Sequence, residues 1–137
     1  MTMDTTDETQ LTCKVVRVGD SFPIKQGLLS ASGICTETTG AKGLSMQLIT
    51  VPPLARAKPH MHEGHETAIY IVSGTTRLRY GDRLSQELSI QAGEFLYIPA
   101  SMPHAPYNPS ESEPCVAIVA RTDPWGQESV HLLPDLE

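Results

Sequence analysis

Residues 59–74 read PHMHEGHETAIYIVSG. The chain has five histidines, and three of them, His60, His62 and His65, fall inside this stretch. His60 and His62 are two apart. On a strand, residues i and i+2 project from one face, about 6.6 Å apart at Cα from the rise per residue. Two imidazoles at that spacing can share one ion. Taken alone the pair is a weak signal, because any surface strand can carry it.

A second stretch, residues 93–108, reads GEFLYIPASMPHAPYN. A turn glycine precedes the apolar run Phe95–Ile98, and a proline corner leads to His104 and, four residues on, to Asn108. Around these two stretches the chain is cut into short pieces by 10 glycines and 11 prolines, and no piece sustains a helical apolar period. The pieces read as strands over Cys13–Val18, Gly33–Glu37, Leu44–Val51, Thr67–Val72, Thr75–Tyr80, Leu88–Gln91, Phe95–Ile98, Met102–Tyr107 and Val116–Arg121. Many short strands separated by turn signals indicate an all-β sandwich or barrel. Pro52, Pro53, Pro99, Pro103, Pro106 and Pro109 cannot donate to a ladder and belong at strand ends, edges or corners.

Together the two stretches resemble the paired motifs of the cupin superfamily. The first family motif places a glutamate after H-x-H and a glycine beyond it. The second spaces a glycine, a proline, a histidine and an asparagine as Gly93, Pro99, His104 and Asn108 are spaced here, with Ser101 replacing a second glycine. The resemblance implies a single double-stranded β-helix (the cupin or jelly-roll barrel) with a mononuclear metal site built from His60, His62 and His104. It also implies a homodimer, the default for small members.

The first motif departs from the family pattern. Leu54 stands in place of the leading glycine, and seven residues rather than six separate Glu66 from Gly74. A register shift of one turns every side chain to the opposite face. With the usual register up to Gly74, Thr67, Ile69 and Ile71 face inward and Glu66 faces away unless a bulge re-aims it. The first motif is also similar to the pirin branch, where a glutamate two residues after the second-motif histidine ligates; Pro106 occupies that position here. Three arrangements stay open: three histidines with water, Glu66 added through a bulge, or His65 as a fourth imidazole. An empty polar pocket is the alternative to all of them. Thr67, Ile69, Tyr70 and Tyr97 are pocket candidates, and the alternating Arg77 and Arg79 read as a solvated face.

Imidazole ligands suit one divalent transition metal ion among Fe, Ni, Zn, Cu and Mn. They must be neutral to bind it, so ordinary imidazoles would lose the ion to protons below about pH 6.5. A site with three protein ligands keeps positions open for water or substrate, and its +2 charge favours an anionic or chelating ligand.

The 137 residues accommodate one domain with a real core. A net charge of −6 argues against a nucleic-acid partner, and no apolar run approaches membrane-spanning length. The opening MTMDTTDETQ lacks the basic start and apolar middle of a secretory signal. It reads as a disordered leader over residues 1–12, ahead of one barrel over 13–137 with a C-terminal arm from about residue 122. Trp125, Leu132 and Leu133 mark that arm as either packed on the barrel or a partner, or a surface tail. Cys13, Cys35 and Cys115 are too scattered for a disulfide framework and fit a reduced, cytoplasmic protein, with Cys115 in the core. The expected function is metal-dependent catalysis, of dioxygenase or lyase/isomerase type, on a small polar or anionic organic molecule. The alternative is a non-catalytic cupin that binds a small ligand.

Overall fold

A computed structural model describes residues 11–126 and 129–137; the greater part of the expected leader lies outside the described residues. The strand Cys115–Arg121 shows how the fold is built. Its residues alternate strictly between buried and half-buried, with Cys115, Ala117, Val119 and Arg121 turned inward. A period of two is what a strand with one face on the core requires.

That strand is the tenth of eleven among the described residues. The others are β1 (Phe22–Pro23), β2 (Leu29–Ile34), β3 (Ser45–Val51), β4 (His60–His62), β5 (Thr67–Ser73), β6 (Thr75–Tyr80), β7 (Gln86–Gln91), β8 (Phe95–Ile98), β9 (His104–Tyr107) and β11 (Val130–Leu132). They form two antiparallel sheets, ordered β1-β2-β3-β10-β5-β8 and β11-β4-β9-β6-β7. Ile49, Val51, Ile71, Leu78, Ile90, Ile98, Ala117 and Val119 meet between the sheets. Ile71 is fully buried, and a side chain of its size contributes about 2–3 kcal/mol when removed from water. This is the jelly-roll barrel expected from the sequence.

Gly74 makes the crossing from one sheet to the other possible. Its φ of +80° is left-handed, and a Cβ there would stand 2.4 Å from the Pro114 carbonyl oxygen. Only glycine satisfies both conditions.

The N-terminal part departs from the expected strands. Cys13–Val18 lies outside any sheet, with Val15 and Val18 exposed; among the described residues its β-branched side chains have no strand to pair with. The run Gly33–Glu37 ends as a strand at Ile34 and becomes a single helical turn, α1 (Thr36–Thr39). Threonine hydroxyls compete for the backbone here. Thr38 Oγ1 accepts from the Cys35 amide at 3.0 Å, and Thr39 Oγ1 donates to the Cys35 carbonyl at 3.0 Å. The C-terminal arm folds back onto the barrel as β11, which pairs with β4 through Val130↔His62 and Leu132↔His60.

Candidate metal centre

The parity argument for His60 and His62 is realised in β4, where both are buried and Met61 between them is half-buried. β9 lies antiparallel beside β4 with His104 opposite His60. Register therefore brings the third imidazole to the first two. The three rings are 2–3% exposed. Their centroids are 5.3 Å (His60–His62), 4.3 Å (His60–His104) and 5.7 Å (His62–His104) apart. One nitrogen from each lies within 4.8 Å of the others.

Hydrogen bonding sets the ring protons. His60 Nδ1 lies 2.7 Å from the Lys58 carbonyl oxygen, and His104 Nδ1 lies 2.8 Å from that of Met102. A carbonyl oxygen only accepts, so each Nδ1 carries the hydrogen and donates. Burial lowers the His60 pKa from 6.5 to about 3, with the nearby His104 adding to the effect. Burial likewise lowers His104 to about 4, with the Arg121 charge contributing. His62 is also lowered, by burial first and by Arg121 second. The rings are thus neutral at physiological pH, and His60 and His104 present bare Nε2 lone pairs. Protons do not compete for these rings at pH 6.5, as they would for solvent-exposed imidazoles; burial moves that competition down to about pH 3–4.

The chemistry of the donor set fits a cation. His62 has both ring nitrogens buried without a protein partner. An unsatisfied buried polar atom costs about 1–3 kcal/mol, and an ion shared with the neighbouring rings would satisfy one of them.

Thr67 is 2% exposed and inward, opposite Ile98 and Arg121, whereas Glu66 is exposed. Glu66 accepts a hydrogen bond from the Tyr97 hydroxyl at 2.8 Å. The irregularity in the β5–β10 pairing falls between Ile71 and Ser73, toward the far end of the strand, and the pairing is regular from Thr67 to Ile71 beside Glu66. His65 is half-buried, with Nδ1 2.9 Å from Thr122 Oγ1, and stands outside the three-ring group. Among the pocket candidates, Thr67 and Ile69 share the inward face. Tyr70 packs on the exposed Phe95, ring centroids 4.9 Å apart, and Tyr97 is 59% exposed; both lie on the outer face. Arg77 is exposed and pairs with Glu87 at 2.9 Å, as a solvated face would, whereas Arg79 is half-buried with its Nε buried and without a protein partner.

The motif asparagine is structural. Asn108 is buried, its amide donating to the Val51 and Glu113 carbonyls at 3.0 and 2.8 Å, while its oxygen accepts from the Ser110 amide. Ser101, in place of the family glycine, takes φ +60°. Its hydroxyl accepts from the Gly64 amide at 3.0 Å and its own amide donates to the His62 carbonyl at 3.1 Å. The loop before His104 is thereby tied to the loop after His62.

Arg121 is the site residue that the sequence reading missed. It is 7% exposed, and its Nε donates to Thr67 Oγ1 at 3.2 Å. Its Nη1 is buried with no protein partner. It lines, with His60 and His104, a largely aliphatic cavity in the barrel. Burial lowers its pKa to about 10, against the opposing influence of Asp123, so it remains charged.

A sequence model of the cupin domain matches residues 47–121. No curated protein matches the sequence. Among solved structures, the oxalate decarboxylase of Lactobacillus farciminis in a formate complex is similar at a TM-score of 0.68 and 19% identity, over 83% of this chain and 33% of that one. Bacillus subtilis oxalate decarboxylase at pH 4.6 is similar at 0.68 and 24%, over 82% and 29%. The chain therefore spans about a third of the length of these decarboxylases. The polyketide cyclase RemF from Streptomyces resistomycificus is similar at 0.65 and 24%, over 92% and 82%. At these identities the likeness speaks for the fold.

Proposed function

The chain belongs to the cupin family, and from that premise we propose that it is a metal-dependent enzyme acting on a small polar or anionic organic molecule. The observation that carries this reading is the convergence of three buried, neutral imidazoles inside the barrel. His60, His62 and His104 would hold one divalent transition metal ion, without a carboxylate from Glu66. When bound, such an ion polarises an oxygen of the ligand as a Lewis acid. The protein's own part is to fix and desolvate. The Lys58 and Met102 carbonyls hold two rings in one tautomer, and Ile69, Ile98 and Val119 give the adjoining cavity an aliphatic wall.

Reaction type, dioxygenase or lyase/isomerase, is part of the proposal and is read from no single residue. A second reading, a non-catalytic ligand-binding cupin, draws on a specific observation. Among the described residues no acidic side chain joins the three-histidine group, so the site carries no built-in acid/base partner beyond the rings. A homodimer is part of the reading, supported by the exposed Phe95 and Tyr97 on the edge strand β8. A cytoplasmic location is supported by the three unpaired cysteines.

Metal analysis of protein purified without a histidine tag tests the core of the proposal. About one divalent ion per chain is expected, falling below about a tenth in His60→Ala, His62→Ala and His104→Ala. Wild-type protein that takes up no ion after chelator stripping and re-addition of Fe, Mn, Ni, Cu or Zn would overturn it. Given a bound ion, turnover of candidate acids separates the enzyme from the binder.

A further inference from the structure

We propose that Arg121 makes this centre a carboxylate site, in which a small carboxylate ligand bridges the metal and the Arg121 guanidinium and each strengthens binding of the other. The inference rests on the metal-binding reading above and specifies its ligand.

The strand β10 buries Cys115, Ala117, Val119 and Arg121 on one face. The last of these is a cation at a position where the pattern supplies aliphatic side chains. A charged group is not retained in an apolar interior without a partner, yet the protein provides Arg121 with very little. Nε is held by Thr67, a neutral hydroxyl. Asp123, the nearby acid, is committed elsewhere: its Oδ1 accepts from the Trp125 amide at 3.0 Å, and its Oδ2 accepts from the Ser129 amide and hydroxyl at 3.2 and 2.7 Å. Nη1 is left buried and unpaired in a side chain more than nine-tenths buried. Arg121 and the rings of His60 and His104 line the same cavity.

The charge balance then identifies the ligand. A divalent ion on three neutral rings near a guanidinium brings three positive charges together, and the cavity lined by His60, His104 and Arg121 has no acidic side chain among its lining residues. Arg121 repels the ion, so metal alone binds below the capacity of the imidazoles. An anion that spans both removes that repulsion, and a carboxylate suits both ends. One oxygen can ligate the metal while the other accepts from Nη1 in the planar geometry that guanidinium favours. The remaining lining is aliphatic apart from Gln26, Thr76 and Cys115. That favours a carboxylate with a small apolar body over a polyanion such as a phosphate ester. Linkage requires the effect to be mutual.

The test is calorimetric titration of the tag-free, chelator-stripped full chain with Ni(II). It is run in a non-coordinating buffer, then with acetate, with neutral acetamide, and with chloride. In the wild type acetate should tighten Ni(II) binding at least about fivefold, while acetamide and chloride leave it within about twofold. In Arg121→Gln the acetate gain should fall below about twofold, with Ni(II) alone bound as well as or better than in the wild type. Arg121→Lys, which keeps the charge and loses the fork, should retain part of the gain and serves if the glutamine variant does not fold. Equal gains from acetate and acetamide, or an undiminished gain in Arg121→Gln, overturn the role of Arg121 while leaving the metal site standing. An equal gain from chloride overturns the carboxylate assignment. Absence of Ni(II) binding under every condition instead overturns the metal reading itself.

Discussion

Stripping the metal and lowering the pH should destabilise this protein in a defined window. In the folded chain His60 and His104 protonate only near pH 3–4, and burial lowers His62 as well. In the unfolded chain all three titrate near the ordinary 6.5. Between those limits the unfolded state binds more protons, so stability falls with pH; it is fully present above about 6.5 and is lost progressively as the folded values are approached. At pH 5 an unfolded imidazole has gained about 2 kcal/mol relative to neutral and the buried one almost nothing. His60 and His104 together give about 4 kcal/mol and His62 adds in the same direction, which is comparable to the whole stability of a small domain. Asp123, lowered from its ordinary value by the Ser129 and Trp125 hydrogen bonds against the penalty of its burial, acts below this window. Urea unfolding with chelator present, from pH 8 to pH 5, measures the effect. A drop of about 4–6 kcal/mol is expected, reduced by about a third in His104→Ala. A change below about 1 kcal/mol, or imidazole resonances of the folded protein titrating near pH 6.5, would refute the reasoning.

Several other outcomes are expected. A metal ion at about a hundredfold excess over its dissociation constant should stabilise the wild type by about 3 kcal/mol in thermal melts, and His104→Ala by less than about 1, with the variant still folded. Asn108→Ala should cost about 3 kcal/mol in urea unfolding, since it strands the buried Val51 carbonyl and frees the loop held through Glu113 and Ser110. Gly74→Ala should cost at least about 3 kcal/mol or abolish soluble expression, because the added Cβ meets the Pro114 carbonyl at 2.4 Å and φ is +80°. Light scattering on the purified chain should return twice the 14.9 kDa chain mass, and Phe95→Glu on the exposed edge strand should shift it toward one.

The barrel was legible because its strands announce themselves by alternation and by the residues that interrupt them. Thr75–Tyr80 and Phe95–Ile98 are bounded as the turn glycines and prolines require. Where the expectation failed, local signals had no partner or had a competitor. Val15 and Val18 have strand-like chemistry but no strand beside them among the described residues, and pairing, unlike propensity, is a property of the whole sheet. The threonines around Cys35 satisfy backbone groups locally and so favour a helical turn over extension. β4 and β11 are three residues each, too short for a periodic signal; the pairing that makes them strands joins residues nearly seventy apart in sequence.

For the site, parity proved as informative as motif. The extra residue between Glu66 and Gly74 predicts Thr67 on the inner face, and burial places it there. The same counting applied to CVAIVAR puts Arg121 on the face of Cys115, Ala117 and Val119. The strand-terminal arginine invites the opposite reading, because charge at the end of an apolar run usually marks the exit to solvent. The inward threonine and the unexpected arginine are coupled across β5 and β10, since Thr67 and Arg121 are register partners and share a hydrogen bond. A glutamate turned inward beside the Arg121 guanidinium would form an ion pair and draw the carboxylate away from any metal. With threonine there, the guanidinium is oriented but not neutralised, and its charge is left for something that enters the barrel from outside.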